Sequence, residues 1–120
     1  MNKEQFYELH ADFCKTFTNP KRVEILDLLR EGEMNVTDIQ KRIGESKSHT
    51  SLMLSFMRMK NVLKTRRDGT NVYYRIADDK ITYAYVVMQK ALAGMIEKRQ
   101  GLQPSKKYLS ETVDRRRQGR

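Results

Sequence analysis

The sequence predicts a mainly α-helical fold that carries one β-hairpin, and three observations carry that prediction. Apolar residues recur at helical spacing over most of residues 2–59 and again from residue 79 onward. Residues 63–76 switch instead to alternation about the turn signal Asp68-Gly69. A length of 120 residues suits one small domain with a modest core.

Charge narrows the class of partner. The net charge of +9 and a pI near 9.8 point to a polyanion, with nucleic acid ahead of an anionic membrane surface. Eight of the 24 basic residues and two of the 15 acidic ones fall in residues 98–120, which leaves +3 for residues 1–97. The organisation expected is a domain over residues 1–100 and a basic, disordered tail over residues 101–120. The single cysteine, Cys14, excludes an intrachain disulfide and fits a reducing compartment. With no apolar signal-peptide core at the start and no run near ~20 apolar residues, a cytoplasmic protein outside the membrane is expected.

In the first helix, Asn2 to Phe17, Phe6, Leu9, Phe13 and Phe17 form a narrow apolar stripe on a polar helix. His10 lies beside it and reads as structural, since no second metal ligand stands at a useful spacing; Cys14 reads as a small buried hydrophobe, with a redox switch between protomers as the alternative. Asn19 caps and Pro20 opens a second helix running to Glu31, where Val23, Ile25, Leu26, Leu28 and Leu29 cover most of the circumference, as in a helix buried between others. Gly32 stops it. A short third helix ends at Ile43, with Val36, Ile39 and Ile43 inward and Gly44 as its left-handed stop.

Ser46 then caps a fourth helix, Lys47 to Lys60, inside a stretch from Ser46 to Arg67 that contains no Asp or Glu. At about 100° per residue, Lys47, Ser48, Ser51, Ser55 and Arg58 share one arc. Leu52, Met53, Leu54, Phe56, Met57 and Met59 fill the rest and are assigned to the core. Serine is a weaker helix former than Glu, Lys, Gln or Arg, and its merit on such a face is that it lets the backbone approach a partner. Two short helices joined by Gly44-Glu45-Ser46 make a helix-turn-helix whose second helix reads.

The strands that follow carry Lys64, Arg66, Arg67 and Arg75 near one another, so the expected order is α-α-α-α-β-β-α, a winged helix-turn-helix. As a bland alternative, these four cations would only discourage edge pairing. A last long helix runs from Asp78 or Asp79 to about Arg99. Its Ile81, Tyr85, Met88, Leu92 and Met95 step by four and three as a heptad seam, expected to meet a second copy together with Phe6, Leu9 and Phe13 of the first helix.

This order of parts resembles the ArsR/SmtB family of dimeric winged-helix repressors over roughly Phe13 to Ile96. Phe17-Thr18-Asn19-Pro20-Lys21-Arg22 through Leu26 is similar to the family's opening of its second helix. Glu31-Gly32-Glu33-Met34-Asn35-Val36-Thr37-Asp38-Ile39 is similar to its E-G-E-L-C-V-C-E-L. Ser46 to Leu54 falls on its reading helix, and Arg66-Arg67-Asp68-Gly69 with Val72-Tyr73-Tyr74-Arg75-Ile76 resembles its wing. The resemblance implies a homodimer that binds double-stranded DNA through Lys47, Ser48, His49, Ser51, Ser55 and Arg58 of the reading helix and Lys64, Arg66, Arg67 and Arg75 of the wing. Repression by covering a near-palindromic operator would follow.

Asn35 and Thr37 stand where the family's metal sensors carry cysteines, and residues 79–100 contain no His. No metal site, and no cofactor, is therefore expected. The family's Arg-His pair is Leu52-Met53 here, so any base contact made by that pair is absent or moved. A winged-helix module that binds RNA or protein is the alternative. No nucleophile, base and acid set, carboxylate pair or Gly-rich phosphate loop supports an enzyme.

Overall fold

The computed structural model describes residues 1–100, and the tail expected over residues 101–120 lies outside them. The chain runs α1 (Lys3–Cys14), a 3-10 turn (Lys15–Phe17), α2 (Pro20–Leu29), β1 (Met34–Asn35), α3 (Val36–Ile43), α4 (Lys47–Met59), β2 (Leu63–Asp68), β3 (Asn71–Ile76) and α5 (Asp79–Gln100). The predicted order of helices and hairpin is present, with one added strand. Packing divides the described residues into two units, Met1–Ile81 and a second that begins at Thr82.

Each helix of the first unit begins at a side-chain cap, because the first turn of a helix leaves its N–H groups without backbone acceptors. Asn2 Oδ1 accepts from the Gln5 N–H at 2.8 Å while Gln5 Oε1 accepts from the Asn2 N–H at 2.9 Å, a reciprocal box. Asn19 Oδ1 accepts from Lys21 and Arg22 N–H at 2.9 and 3.2 Å, with Pro20 at the first helical position. Asn35 Oδ1 accepts from Asp38 N–H at 2.8 Å, and Ser46 Oγ from His49 N–H at 3.1 Å. Gly44, at φ 66°, ends α3 in the left-handed region and turns the chain into α4.

The core of this unit is built from α2, α3, α4 and the strands. Ile25, Leu26, Ile39, Leu54, Met57 and Val62 are completely enclosed, and Leu29, Ile43, Met53, Leu63 and Tyr74 nearly so. Thr50, also fully buried, meets its polar requirement by donating its hydroxyl to Ser46 O at 2.8 Å. At the far end of α4, Asn61 takes φ 63°, Asn61 N–H donates to Arg58 O at 2.9 Å and Val62 N–H to Met57 O at 3.0 Å. That is a Schellman motif with Asn61 in the place usually held by glycine, and its apolar partners Met57 and Val62 are both buried. It delivers the chain from the helix straight into β2.

The sheet has the order β1-β3-β2, all antiparallel. Met34 and Asn35 pair with Tyr74 and Tyr73, while β2 pairs with β3 from Leu63↔Ile76 to Asp68↔Asn71. The two-residue turn Gly69-Thr70 has positive φ only at Gly69, the sign pattern of a type II′ hairpin. β1 escapes sequence reading because two residues carry no periodicity. Polar ties brace the first unit: Lys60 Nζ donates to both carboxylate oxygens of Asp12 at 2.8 Å, and Lys21 Nζ to Ile43 O at 2.6 Å.

On α5, in the second unit, Thr82, Tyr85 and Val86 are buried, whereas Met88, Leu92 and Met95 remain 68, 50 and 55% exposed. Of the expected seam, Met88, Leu92 and Met95 are open to solvent, and Tyr85 is the member that turns inward. Thr82, Tyr85 and Val86 lie on a stripe rotated by about 100° from Met88, Leu92 and Met95, and Tyr85 stands at the edge where the two meet. In α1, Phe6 and Leu9 are likewise 56 and 55% exposed, with Phe13 half-buried; Ile81 is half-buried too. No helix among the described residues is long and apolar enough to cross a membrane.

Candidate nucleic-acid interface

The packing of α4 decides what it shows to solvent. Thr50, Met53, Leu54 and Met57 point into the core, which leaves Lys47, Ser48, His49, Ser51, Leu52, Ser55, Arg58 and Met59 exposed. The six polar residues expected on this face are therefore all on it. Leu52 and Met59, assigned to the core from the sequence, are instead 70 and 78% exposed. They follow Ser48 and Ser55 by four residues each and so lie over the serine face.

His49 is already engaged, its Nδ1 lying 2.7 Å from Glu45 Oε2. That interaction sets a carboxylate at the N-terminal edge of an otherwise acid-free helix. At the other end, Arg58, Met59 and Asn61 join Leu63, Lys64, Thr65 and Arg75 around an open cleft of about 460 Å³. Lys64 and Arg75 are direct cross-strand partners. Like charges facing each other across a strand pair repel, and here a third cation, Arg58, lines the same cleft. A cleft of this charge is suited to an anion.

The remaining wing cations go elsewhere. Arg66 donates from Nε to both oxygens of Glu33 at 3.0 Å, and its guanidinium lies 4.5 Å from the centre of the Tyr73 ring, its cross-strand neighbour. Arg67 pairs with Val72 next to the hairpin tip and is exposed. The structure thus brings together Arg58, Lys64 and Arg75 and sets Arg66 apart in a surface clamp with Glu33. Glu33, separated from Arg66 by 33 residues, has no local signal that would have named it. The Arg66 guanidinium holds the Glu33 carboxyl below the ordinary glutamate range, chiefly by its hydrogen bonds and secondarily by its charge.

At the position of the family's cysteines, the Asn35 side chain is occupied in capping α3, and Thr37 is exposed. Among the described residues no three His, Cys, Asp or Glu side chains gather as a metal site. His10 packs edge-on to Phe6, with ring centres 6.4 Å apart, and the Cys14 thiol is half-buried.

Residues 19–64 match the family described as bacterial regulatory protein, arsR family. The chain is 35% identical over 100 residues to an uncharacterized HTH-type transcriptional regulator, Rv0081, of Mycobacterium tuberculosis, covering 82% of this chain and 88% of that protein. The crystal structure of Rv0081 superposes with a TM-score of 0.74, over 78% of this chain and 95% of that one. The nodulation protein NolR of Rhizobium meliloti is 38% identical over 79 residues, 66% of this chain and 65% of its own. The solution structure of the homodimeric winged helix-turn-helix DNA-binding domain of Mb0332 from Mycobacterium bovis gives a TM-score of 0.76 at 28% identity, covering 82% of this chain and 91% of that one.

The Glu33–Arg66 clamp has a defined pH dependence. A carboxyl whose folded pKa is depressed stabilises the fold above its unfolded value, about 4.3, and that contribution disappears as the pH falls through the lower folded value. The Arg66 Nε–H resonance is expected to hold its bonded position at about pH 4.3 and to move only below it, and in Glu33→Gln that titration should vanish. A resonance that does not follow Glu33 would mean that the pair does not form in solution.

Proposed function

We propose that this chain, which belongs to the arsR family of bacterial regulatory proteins, is a homodimeric, sequence-specific DNA-binding repressor that works in the cytoplasm without a metal effector at the family's usual positions. The observation that carries the reading is the solvent face of α4, free of acid from Lys47 to Arg58 and continuous with the cleft lined by Arg58, Lys64 and Arg75. Lys47, Ser48, His49, Ser51 and Ser55 would meet base edges in a major groove. Arg58, Lys64, Arg67 and Arg75 would meet phosphates. Arg66 would act by holding the wing, since its Nε and Nη2 donors already go to Glu33.

The reading as a dimer is supported by two apolar stripes that the chain leaves open, Phe6 and Leu9 on α1 and Met88, Leu92 and Met95 on α5. Two reading helices about 34 to 36 Å apart would face successive major grooves and require a near-palindromic site. Repression would then follow from occupying a promoter, as the resemblance to repressors implies. The absence of a metal effector is supported by the capping role of Asn35 and by a last helix without histidine. The domain over residues 1–100 would hold both the reading and the pairing surfaces.

Selection of bound duplexes from a random pool tests this reading, since it returns affinity, symmetry and half-site spacing together. Recovery of a palindromic duplex supports it; equal affinity for every duplex, or preference for RNA, overturns it. On the selected duplex, affinity is expected to be the same in zinc, cadmium or chelator, and a metal-linked drop of ten-fold, about 1.4 kcal/mol, would reveal ligands assembled across the dimer.

Replacing both Met88 and Leu92 with lysine sets like charges on the exposed stripe without touching the buried residues Tyr85 and Val86. The variant is expected to sediment as a folded monomer and to bind duplex weakly; a persistent dimer would place the interface elsewhere.

Wing and helix are expected to fail differently. Arg67→Ala should weaken selected and random duplexes alike and reduce the slope of log affinity against log salt by about one unit for each phosphate that a protomer no longer neutralises. Ser48→Ala should cost about 1 to 3 kcal/mol on the selected duplex and less on random DNA. Titrations of both duplexes across salt decide: equal losses for Ser48→Ala would mean that α4 positions the protein without reading sequence there.

A further inference from the structure

We propose that Leu52 reads the 5-methyl group of a thymine in the major groove and so sets an A·T preference in each half-site. The inference rests on α4 as the reading helix and adds what that helix recognises. Leu52 is 70% exposed, on a helix whose other exposed residues are small, polar or basic apart from Met59. Its neighbours on the helix surface at i−4, i−3, i+3 and i+4 are Ser48, His49, Ser55 and Phe56, of which the first three are exposed and Phe56 is half-buried. A branched apolar side chain therefore stands exposed between two short hydroxyls on one side and the His49 and Phe56 rings on the other.

An exposed leucine gains none of the free energy that burial would give it, so the isolated fold draws little from its side chain. What can cover it must be apolar at one point and polar around that point, because its exposed neighbours Ser48, His49 and Ser55 are all polar. The major-groove edge of an A·T pair has that pattern: the thymine methyl is the one apolar group among the base edges, and it lies beside the acceptor O4 and the donor and acceptor of adenine, which serine hydroxyls can pair with. Charge complementarity selects the same occupant, since Lys47 and Arg58 stand toward the two ends of the face and no acid lies between them. Met59 is assigned differently. It lines the cleft with Arg58, Lys64 and Arg75, where the expected neighbour is backbone rather than base.

The test uses the full chain and a duplex selected from a random pool, in which each half-site thymine is replaced in turn, symmetrically, by uracil. That exchange removes one methyl group and nothing else. For the native chain, one position is expected to lose about four-fold in affinity per methyl, or about fifteen-fold for two half-sites. Leu52→Ala is expected to bind thymine and uracil duplexes at that position equally, while its thermal unfolding, followed by circular dichroism, stays near that of the native chain because the side chain is exposed. The inference is overturned if the selected half-site contains no thymine, if no uracil exchange costs the native chain more than about two-fold, or if Leu52→Ala keeps the full loss. Specific duplex binding without a methyl effect removes this inference alone. Failure to select any duplex removes the DNA reading and this inference with it.

Discussion

Everything in the first unit depends on α4 being half buried and half open. Leu54, Met57 and Thr50 are fully enclosed while residues one or two positions away, Ser51, Ser55 and Arg58, are exposed. A helix can do this only if its partners grip one side firmly, and α3 and β2 both lie against it. The buried polar group on that side, the Thr50 hydroxyl, is satisfied locally by Ser46 O, so the core gains a small side chain without an orphaned donor. The Schellman turn at Asn61 then ties the end of the helix to the start of β2, which is why a basic cleft forms where the two meet.

Basic residues that look alike in the sequence have different physical situations. Lys60 falls within the acid-free stretch, yet it bonds both oxygens of Asp12, holding that carboxyl below its ordinary range, and lies 5.5 Å from the centre of the Phe56 ring. Arg22 covers Phe56 at 4.6 Å and donates to Lys15 O at 2.8 Å. These cations fasten α1 and the 3-10 turn to the helices beneath, and their net contribution to an external field is partly cancelled by Asp12. Lys64 and Arg75 instead face each other across the hairpin with Arg58 in the same cleft. Net charge alone could not separate the two groups.

Asn35 illustrates how a position can change its task within a shared fold. Its side chain accepts the Asp38 N–H at the start of α3, and its backbone pairs with Tyr73 in the sheet. A residue used in both ways supports the joint between helix and sheet, which a cysteine thiol would cap less well because sulfur is a weak acceptor.

The sequence by itself determined the five helices and the hairpin and several of their ends, while the first and second helices stop at Cys14 and Leu29, short of the expected Phe17 and Glu31. Caps at Asn19 and Ser46, the stop at Gly44 and the turn at Gly69-Thr70, signalled by Asp68-Gly69, each act within four residues, so local chemistry was enough to place them. The exposure of the six polar residues expected on the face of α4 and of Lys64, Arg66, Arg67 and Arg75 on the hairpin was legible for the same reason. Tertiary structure decided which part of a broadly apolar helix turns inward: six of the 13 residues of α4 are apolar, and only the positions of α3 and β2 put Leu54 inside and Leu52 outside. It also decided the two-residue strand β1, the pairing of Arg66 with Glu33, and the burial of Tyr85 rather than its exposure on the seam. Apart from the inward turn of Tyr85, these depend on groups brought together from distant parts of the chain, and no pattern of neighbouring residues encodes where such a group will stand.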